Sequence, residues 1–269
     1  MDRRRFLTNG IAAGALVCVE SVPGPFQATH AQNTGRAEVL VQLSAKPEPI
    51  QIHLNRTAVI VVDMQNDSCS KGGLFDVIGM DVSINRSIVP QIRAVLAAAR
   101  KRGLPIIYLK MGYKPDLSDL GPEGSPNRSA NRQAGQSVKA PNGMESRILI
   151  RGTWNTDIIE ELKPEPGDIV LYKTRYSGFY QTELDSTLKG MGVRFLIVTG
   201  CTTSVCVEST IRDAMFRDYS PVLLSDCTAE PQGYGLPRSN HEASLFIIRD
   251  NFGWISTSDQ FIRSFDEPM

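Results

Sequence analysis

"TAVIVVDMQN", residues 57–66, is an unbroken apolar run once past Thr57, and it ends in an acid. A strand with one buried face alternates apolar and polar residues, whereas a strand covered on both faces reads as a continuous apolar stretch. Residues 57–62 are therefore expected to form an inner strand of a parallel sheet, with Asp63 at its carboxyl end.

The chain on either side repeats the theme. "NRSIVPQIRAVLAAARKRG" (85–103) places Ile88, Ile92, Leu96 and Ala99 at helical spacing, carries basic residues in its last turn and stops at Gly103. Further strands are expected at "PIIYLK" (105–110), "DIVLYK" (168–173), "RFLIVTG" (194–200) and "PVLLSD" (221–226). Helices are expected in "NTDIIEELK" (155–163), "TELDSTLKGMG" (182–192) and "SVCVESTIRDAMFRDYS" (204–220). Strands alternating with helices over this length predict a three-layer α/β/α sandwich around a mostly parallel, Rossmann-like sheet. Residues 112–152 break the pattern. They are rich in Gly, Pro, Ser and Asn, and read equally as a lid over a pocket or as a surface excursion making a subunit contact.

At 269 residues, with 41% hydrophobic and 22% charged residues and no net charge, the composition is that of an ordinary globular enzyme-sized chain. A nucleic-acid or membrane-surface protein would be strongly basic, so a small-molecule partner is expected. The first residues differ in kind. "MDRRRFL" followed by a short glycine-interrupted apolar stretch and the small-residue site in "ATHAQ" resembles a twin-arginine export signal. Residues 1–31 are thus expected to be removed on export to the periplasm, with no membrane anchor remaining. Residues 32–54 would then form an N-terminal extension and residues 55–269 the main domain.

Without residues 1–31 the chain holds four cysteines (Cys69, Cys201, Cys206, Cys227) and two histidines (His53, His241). Ligands of open α/β sheets bind at the carboxyl ends of the strands, which singles out Asp63, Lys173 and the loop at 200–206. A nucleophilic cysteine must reach the thiolate, and a helix N-terminus lowers its pKa. Cys206 falls in the first turn of the helix expected near Ser204. Neither histidine falls at a predicted strand end; the candidates that do are Asp63, a carboxylate that can accept the thiol proton, and Lys173, which would favour the thiolate. The alternatives are a buried Asp63–Lys173 ion pair that merely closes the sheet, and cysteines that are small core residues.

"VIVVDMQND", "LYKTRYSGFYQTELDSTL" and "VTGCTTSVCVESTIRDA" resemble, in that order, the three signature segments of the isochorismatase-like cysteine hydrolases. "GSPN", "GTWNTDIIEELKPEPGDIVLYKTRYSGF" and the stretch from "CVEST" to "FGW" are similar to its branch of ureidoacrylate amidohydrolases and related carbamoyl-amide hydrolases. The resemblance implies an Asp63–Lys173–Cys206 triad that cleaves a linear amide, ureide or carbamoyl C–N bond, as in ureidoacrylate or biuret, through a thioester. It also implies a cis peptide between Cys201 and Thr202, an oxyanion hole from the backbone N–H groups of Thr202 and Cys206, no metal or other cofactor, and a homo-oligomer. The nearest branch resembles "NGW" where this chain has "MGY", Met111–Tyr113.

Gln65, Tyr113, Arg175, Tyr176 and Ser177 are the candidates for holding substrate, Arg175 by pairing with a carboxylate, and Phe179 joins Tyr113 and Tyr176 as a pocket wall. Two other readings stand beside the amidohydrolase: a hydrolase of another amide class such as aryl amides, and a non-enzymatic binding or redox protein with a Cys201–Cys206 disulfide.

Overall fold

The structure is a computed structural model that describes residues 39–266. Residues 1–31, where an export signal is expected, lie outside the described residues. A two-stranded antiparallel hairpin, β1 (Leu40–Leu43) and β2 (Ile50–His53), opens the described chain. Six strands then form the central sheet: β3 (Thr57–Val62), β4 (Ile106–Met111), β7 (Ile169–Lys173), β8 (Phe195–Cys201), β9 (Ser220–Ala229) and β10 (Trp254–Ser256). The small hairpin between β4 and β7 supplies β5 (Ser137–Lys139) and β6 (Glu145–Arg147).

Every pairing in the large sheet is parallel, and the order is β10-β9-β8-β3-β4-β7. The chain moves one way from β3 through β4 to β7, then returns to β8 on the other side of β3. The crevice at the carboxyl ends of β3 and β8 is therefore the switch point of the sheet, where such folds bind ligands.

Strand β3 is buried along its whole length because it is covered on both sides. Its side chains alternate between faces, as the pleat requires. Val59 and Val61 join one core with helix α1 (Val89–Lys101), while Ala58, Ile60 and Val62 join the other with α2 (Leu184–Gly190), α3 (Glu208–Met215) and α4 (Asn240–Asn251). Phe261 of α5 (Ser258–Arg263) completes the first core. The expected three-layer sandwich is present.

Three local expectations are corrected. Residues 155–163 are not an α-helix but two single 3-10 turns, Trp154–Thr156 and Glu160–Leu162. The backbone between them pairs with the segment after β3: Asn66 N–H donates to Asp157 O at 2.9 Å and Ile159 N–H to Met64 O at 3.1 Å. Those tertiary bonds take the groups a helix would have used internally. The helix carrying "CVEST" begins at Glu208, preceded by a π-helical turn at Thr203–Val207. Finally, residues 40–53 are no appendage, because Val41, Leu43, Ile50 and Ile52 sit in the same core as β3 and α1. A boundary at residue 55 does not separate that hairpin from the domain.

Candidate active site

Asp63 is the first residue after β3, and its backbone turns into the left-handed region (φ 49°), which aspartate tolerates better than most residues. Lys173 ends the edge strand β7, paired in register with Met111 at the end of β4. Its long stem crosses over β4, so that its ammonium lies 2.7 Å from Asp63 Oδ2 and 3.3 Å from Cys206 Sγ. The same ammonium donates to Arg175 O at 3.4 Å and touches Met111 Sδ at 3.7 Å. Asp63 and Lys173 are buried, and Cys206 keeps 9% of its surface exposed. Asp63 Oδ1 is buried and has no hydrogen-bond partner among the described residues.

Burial alone would pull the Lys173 ammonium down, but the Asp63 carboxylate and Cys206 beside it push its pKa up overall, so it holds its charge. The Cys206 thiol goes up as well. Burial and the facing Asp63 carboxylate outweigh the stabilisation Lys173 gives to a thiolate. The thiol form of Cys206 is thus favoured, against the lowering expected of a helix N-terminus. Cys206 lies in the π turn, before the α-helix begins.

The peptide bond Cys201–Thr202 is cis. All four described cysteines are free thiols, and Cys201 Sγ donates to Asp63 O at 3.3 Å. Among the described residues no cluster of three or more His, Cys, Asp or Glu side chains is arranged to hold a metal ion, and no helix is long and apolar enough to cross a membrane.

The five candidates for substrate contact divide. Gln65 is fully buried and spends its amide on one strand end: Nε2 donates to Met111 O at 2.9 Å and Oε1 accepts from Met111 N at 2.8 Å. Tyr113 is fully buried, its hydroxyl accepting from Asn127 Nδ2 at 3.1 Å. Ser177 donates to Asp213 and accepts from Phe179 N, and Phe179 packs on Tyr219 in the core. Arg175 and Tyr176 remain. Arg175 is half-buried, holds Asp119 O at 3.2 Å and lies over the Tyr180 ring. Tyr176 is 36% exposed, and its pKa is pushed up by burial and by the nearby Cys206 sulfur.

The segment 112–152 has a small core of its own, with Met111, Tyr113, Leu120, Ala134, Ile148, Leu149 and Ile150. It is tied down by Asp67, which accepts from Leu149 N at 2.8 Å, Leu74 N at 3.0 Å and Asn155 Nδ2 at 2.7 Å. Burial pushes the Asp67 carboxyl up to about 7 against the pull of those donors. The sequence reading missed Asp67, Thr228 and Glu230 and set His241 aside; the side chains of Thr228, Glu230 and His241 gather at the turn that carries Cys206. The available signal was Glu230 standing just past the apolar run "PVLLSDCTA", at a strand's carboxyl end.

A model of the isochorismatase domain matches residues 57–260. Ureidoacrylate amidohydrolase RutB of Caulobacter segnis is 40% identical over 227 residues, which cover 84% of this chain and 93% of that protein. RutB of Methylorubrum extorquens is 43% identical over 216 residues, 80% of this chain and 85% of its own. Among solved structures, a cysteine hydrolase from Pseudomonas syringae pv. phaseolicola superposes with a TM-score of 0.68 at 32% identity, covering 86% of this chain and 99% of that one. N-carbamoylsarcosine amidase from Thermoplasma acidophilum gives 0.56 at 26% identity, over 76% and 97%. With a parallel sheet that gathers an acid, a lysine and a cysteine at its switch point, and with relatives this similar over most of both chains, the protein belongs to the isochorismatase family.

Proposed function

We propose that this protein is a cysteine-dependent amidohydrolase that cleaves a linear amide, ureide or carbamoyl C–N bond of a small molecule through a thioester. The observation that carries this reading is the single ammonium of Lys173 held between Asp63 Oδ2 and Cys206 Sγ. As Cys206 attacks the carbonyl carbon, its thiol proton passes to Asp63, whose Oδ1 is free to accept it. Lys173 offsets the negative charge on sulfur during the transfer. The backbone N–H groups of Thr202 and Cys206 hold the oxyanion in this proposal. Asp63 returns the proton to the departing nitrogen, the C–N bond breaks, and an amine or ammonia leaves. Water then cleaves the thioester and restores the thiol.

Arg175 and Tyr176 are the proposed substrate contacts, since they retain exposed or half-buried surface beside the triad. Met111 marks a departure within the same site, because its thioether contacts the Lys173 ammonium where the ureidoacrylate branch resembles an amide. A substrate with less polar surface at that edge, such as an aryl amide, is the second reading it favours. Assay of ammonia or amine release from ureidoacrylate, biuret, N-carbamoyl amino acids and aryl amides tests the class. Turnover of at least one is expected, and of none would remove the proposal.

Export by the twin-arginine route and assembly into a homo-oligomer belong to the same proposal. The first is supported by Arg3–Leu7 and the small-residue site before Gln32. Its test is periplasmic recovery that is lost when Arg3 and Arg4 are both changed to Lys. Light scattering on the purified protein tests the second, and a monomeric mass would contradict it.

A further inference from the structure

The turn that presents Cys206 is gripped from behind by side chains outside the proposed triad. Glu230, just past β9, is 2% exposed. Its Oε2 accepts both the backbone N–H of Ser204, at 3.0 Å, and the Ser204 hydroxyl, while Oε1 accepts Gln232 N–H at 2.9 Å. One residue earlier, Thr203 Oγ1 lies 2.9 Å from Thr228 Oγ1 and 3.0 Å from His241 Nδ1. One residue beyond the turn, the Glu208 carboxylate accepts from Ser244 Oγ and from Arg212. The stretch 203–208 is therefore fixed on both sides of Cys206 by residues from 228–244.

A buried carboxylate is costly to desolvate, and one with no cation in its grip needs its full complement of donors. No salt bridge to Glu230 is formed among the described residues; its donors are Ser204 and Gln232. Glu230 is acidic and buried, yet two of its three hydrogen bonds go to one residue, two positions before the nucleophile. A π turn lacks the regular i to i−4 ladder that holds an α-helix, so an outside clamp has most effect there.

We propose that Glu230 is the positioning residue of the nucleophile turn: by holding Ser204 through its N–H and hydroxyl, it fixes the backbone from Thr202 to Cys206 against the substrate carbonyl. Among the described residues its hydrogen bonds go to Ser204 and Gln232, not to Cys206 or Asp63, so it acts through Ser204. The inference rests on the amidohydrolase reading given above for its kinetic consequence, but its structural claim is testable without substrate.

The test compares wild type with Glu230→Ala, Glu230→Gln and Ser204→Ala, each in two measurements. On whichever substrate wild type turns over, Glu230→Ala is expected to lower kcat by about 10- to 100-fold, the scale of losing well-oriented groups, with KM within about 3-fold. Ser204→Ala, which removes the hydroxyl but keeps the N–H, is expected to lose less. Glu230→Gln, whose carbonyl oxygen can still accept from Ser204, is expected to recover most of kcat. Independently, site-resolved alkylation of Cys206 by iodoacetamide is expected to be several-fold faster in Glu230→Ala than in wild type and near wild type in Glu230→Gln. An unchanged kcat and alkylation rate in Glu230→Ala would overturn the proposal, as would a Gln variant as impaired as the Ala variant. If Glu230→Ala does not fold, Ser204→Ala decides: a lowered kcat with faster alkylation, beside near-wild-type values in Glu230→Gln, supports it, and wild-type values in Ser204→Ala overturn it. A wild type inactive on every substrate would sink the amidohydrolase reading alone, leaving alkylation to judge the clamp.

Discussion

Lys173 Nζ stands 3.3 Å from Cys206 Sγ although Lys173 ends β7 and Cys206 lies in the turn that follows β8, two strands with β3 and β4 between them in the sheet. The lysine reaches across because Asp63, at the end of β3, draws its ammonium to 2.7 Å. Replacing Lys173 by Met keeps the stem's bulk and removes the charge. It leaves Asp63 buried without its cation, and breaking such a pair costs about 3–5 kcal/mol. Expected outcomes are a clear drop in thermal midpoint and a loss of about 10²–10³-fold in kcat, the scale of losing one preorganised electrostatic group. Denaturant melts and steady-state kinetics check the two.

The pH dependence of stability follows from the same pair. The Cys206 thiol, by burial and Asp63, and the Lys173 ammonium, by Asp63 and Cys206 against burial, both hold their protons to higher pH in the folded chain than in the unfolded one. Above the ordinary thiol value of 9.0 the folded state therefore binds more protons than the unfolded state, and stability falls as pH rises. The lysine contribution is fully present below its ordinary value of 10.5 and is lost above it. Cys201, pushed up by the adjacent Cys69 and by burial, and Cys227, pushed up by burial and Asp226, act with the same sign. Thermal midpoints are expected to hold from pH 7 to 8 and decline above about 9. In Cys206→Ala the decline is expected to be shallower.

Met111 offers a test of specificity. Its backbone is locked by Gln65 on both sides while its thioether faces Lys173, so Met111→Asn changes the chemistry of the site without freeing the strand end. Discrimination by a polar group that a substrate can pair with is worth about 10-fold or more. The variant is expected to raise kcat/KM for ureidoacrylate relative to aryl amides by that order. Parallel kinetics on both substrates would show it, and an unchanged ratio would place the determinant elsewhere.

Gly200 lets β8 run against β3 beside the site. Its φ is +109°, and a Cβ there would fall 2.0 Å from Val62 O, an atom of the neighbouring strand's backbone that cannot move aside. Gly200→Ala is expected to cost about 2–4 kcal/mol from backbone strain and overlap, or to prevent folding. The soluble yield and melting temperature of the variant measure this.

Much of this arrangement was legible in the sequence because it rests on short-range signals. The unbroken run at 57–62 announced an inner strand, and Asp63, Lys173 and Cys206 stood at strand ends or just past one. The rest depended on tertiary partners. Ile158 and Ile159 fit a helical spacing, but their backbone is claimed by residues 64–66. The hairpin β1–β2 and the three-residue β10 are too short for periodicity to mark. Gln65, Tyr113 and Ser177 lie beside site residues in sequence, yet their polar atoms are spent on Met111, Asn127 and Asp213. Glu230 acts on a turn 26 residues away, and no local pattern connects the two.

The most direct measurement is amide turnover by Cys206→Ala, purified beside wild type and compared by circular dichroism, on the substrate that wild type hydrolyses fastest. A nucleophile has no substitute in a thioester mechanism, so turnover is expected to fall by at least about 10³-fold with the fold unchanged. Activity retained within about tenfold of wild type in a folded Cys206→Ala protein would contradict the account.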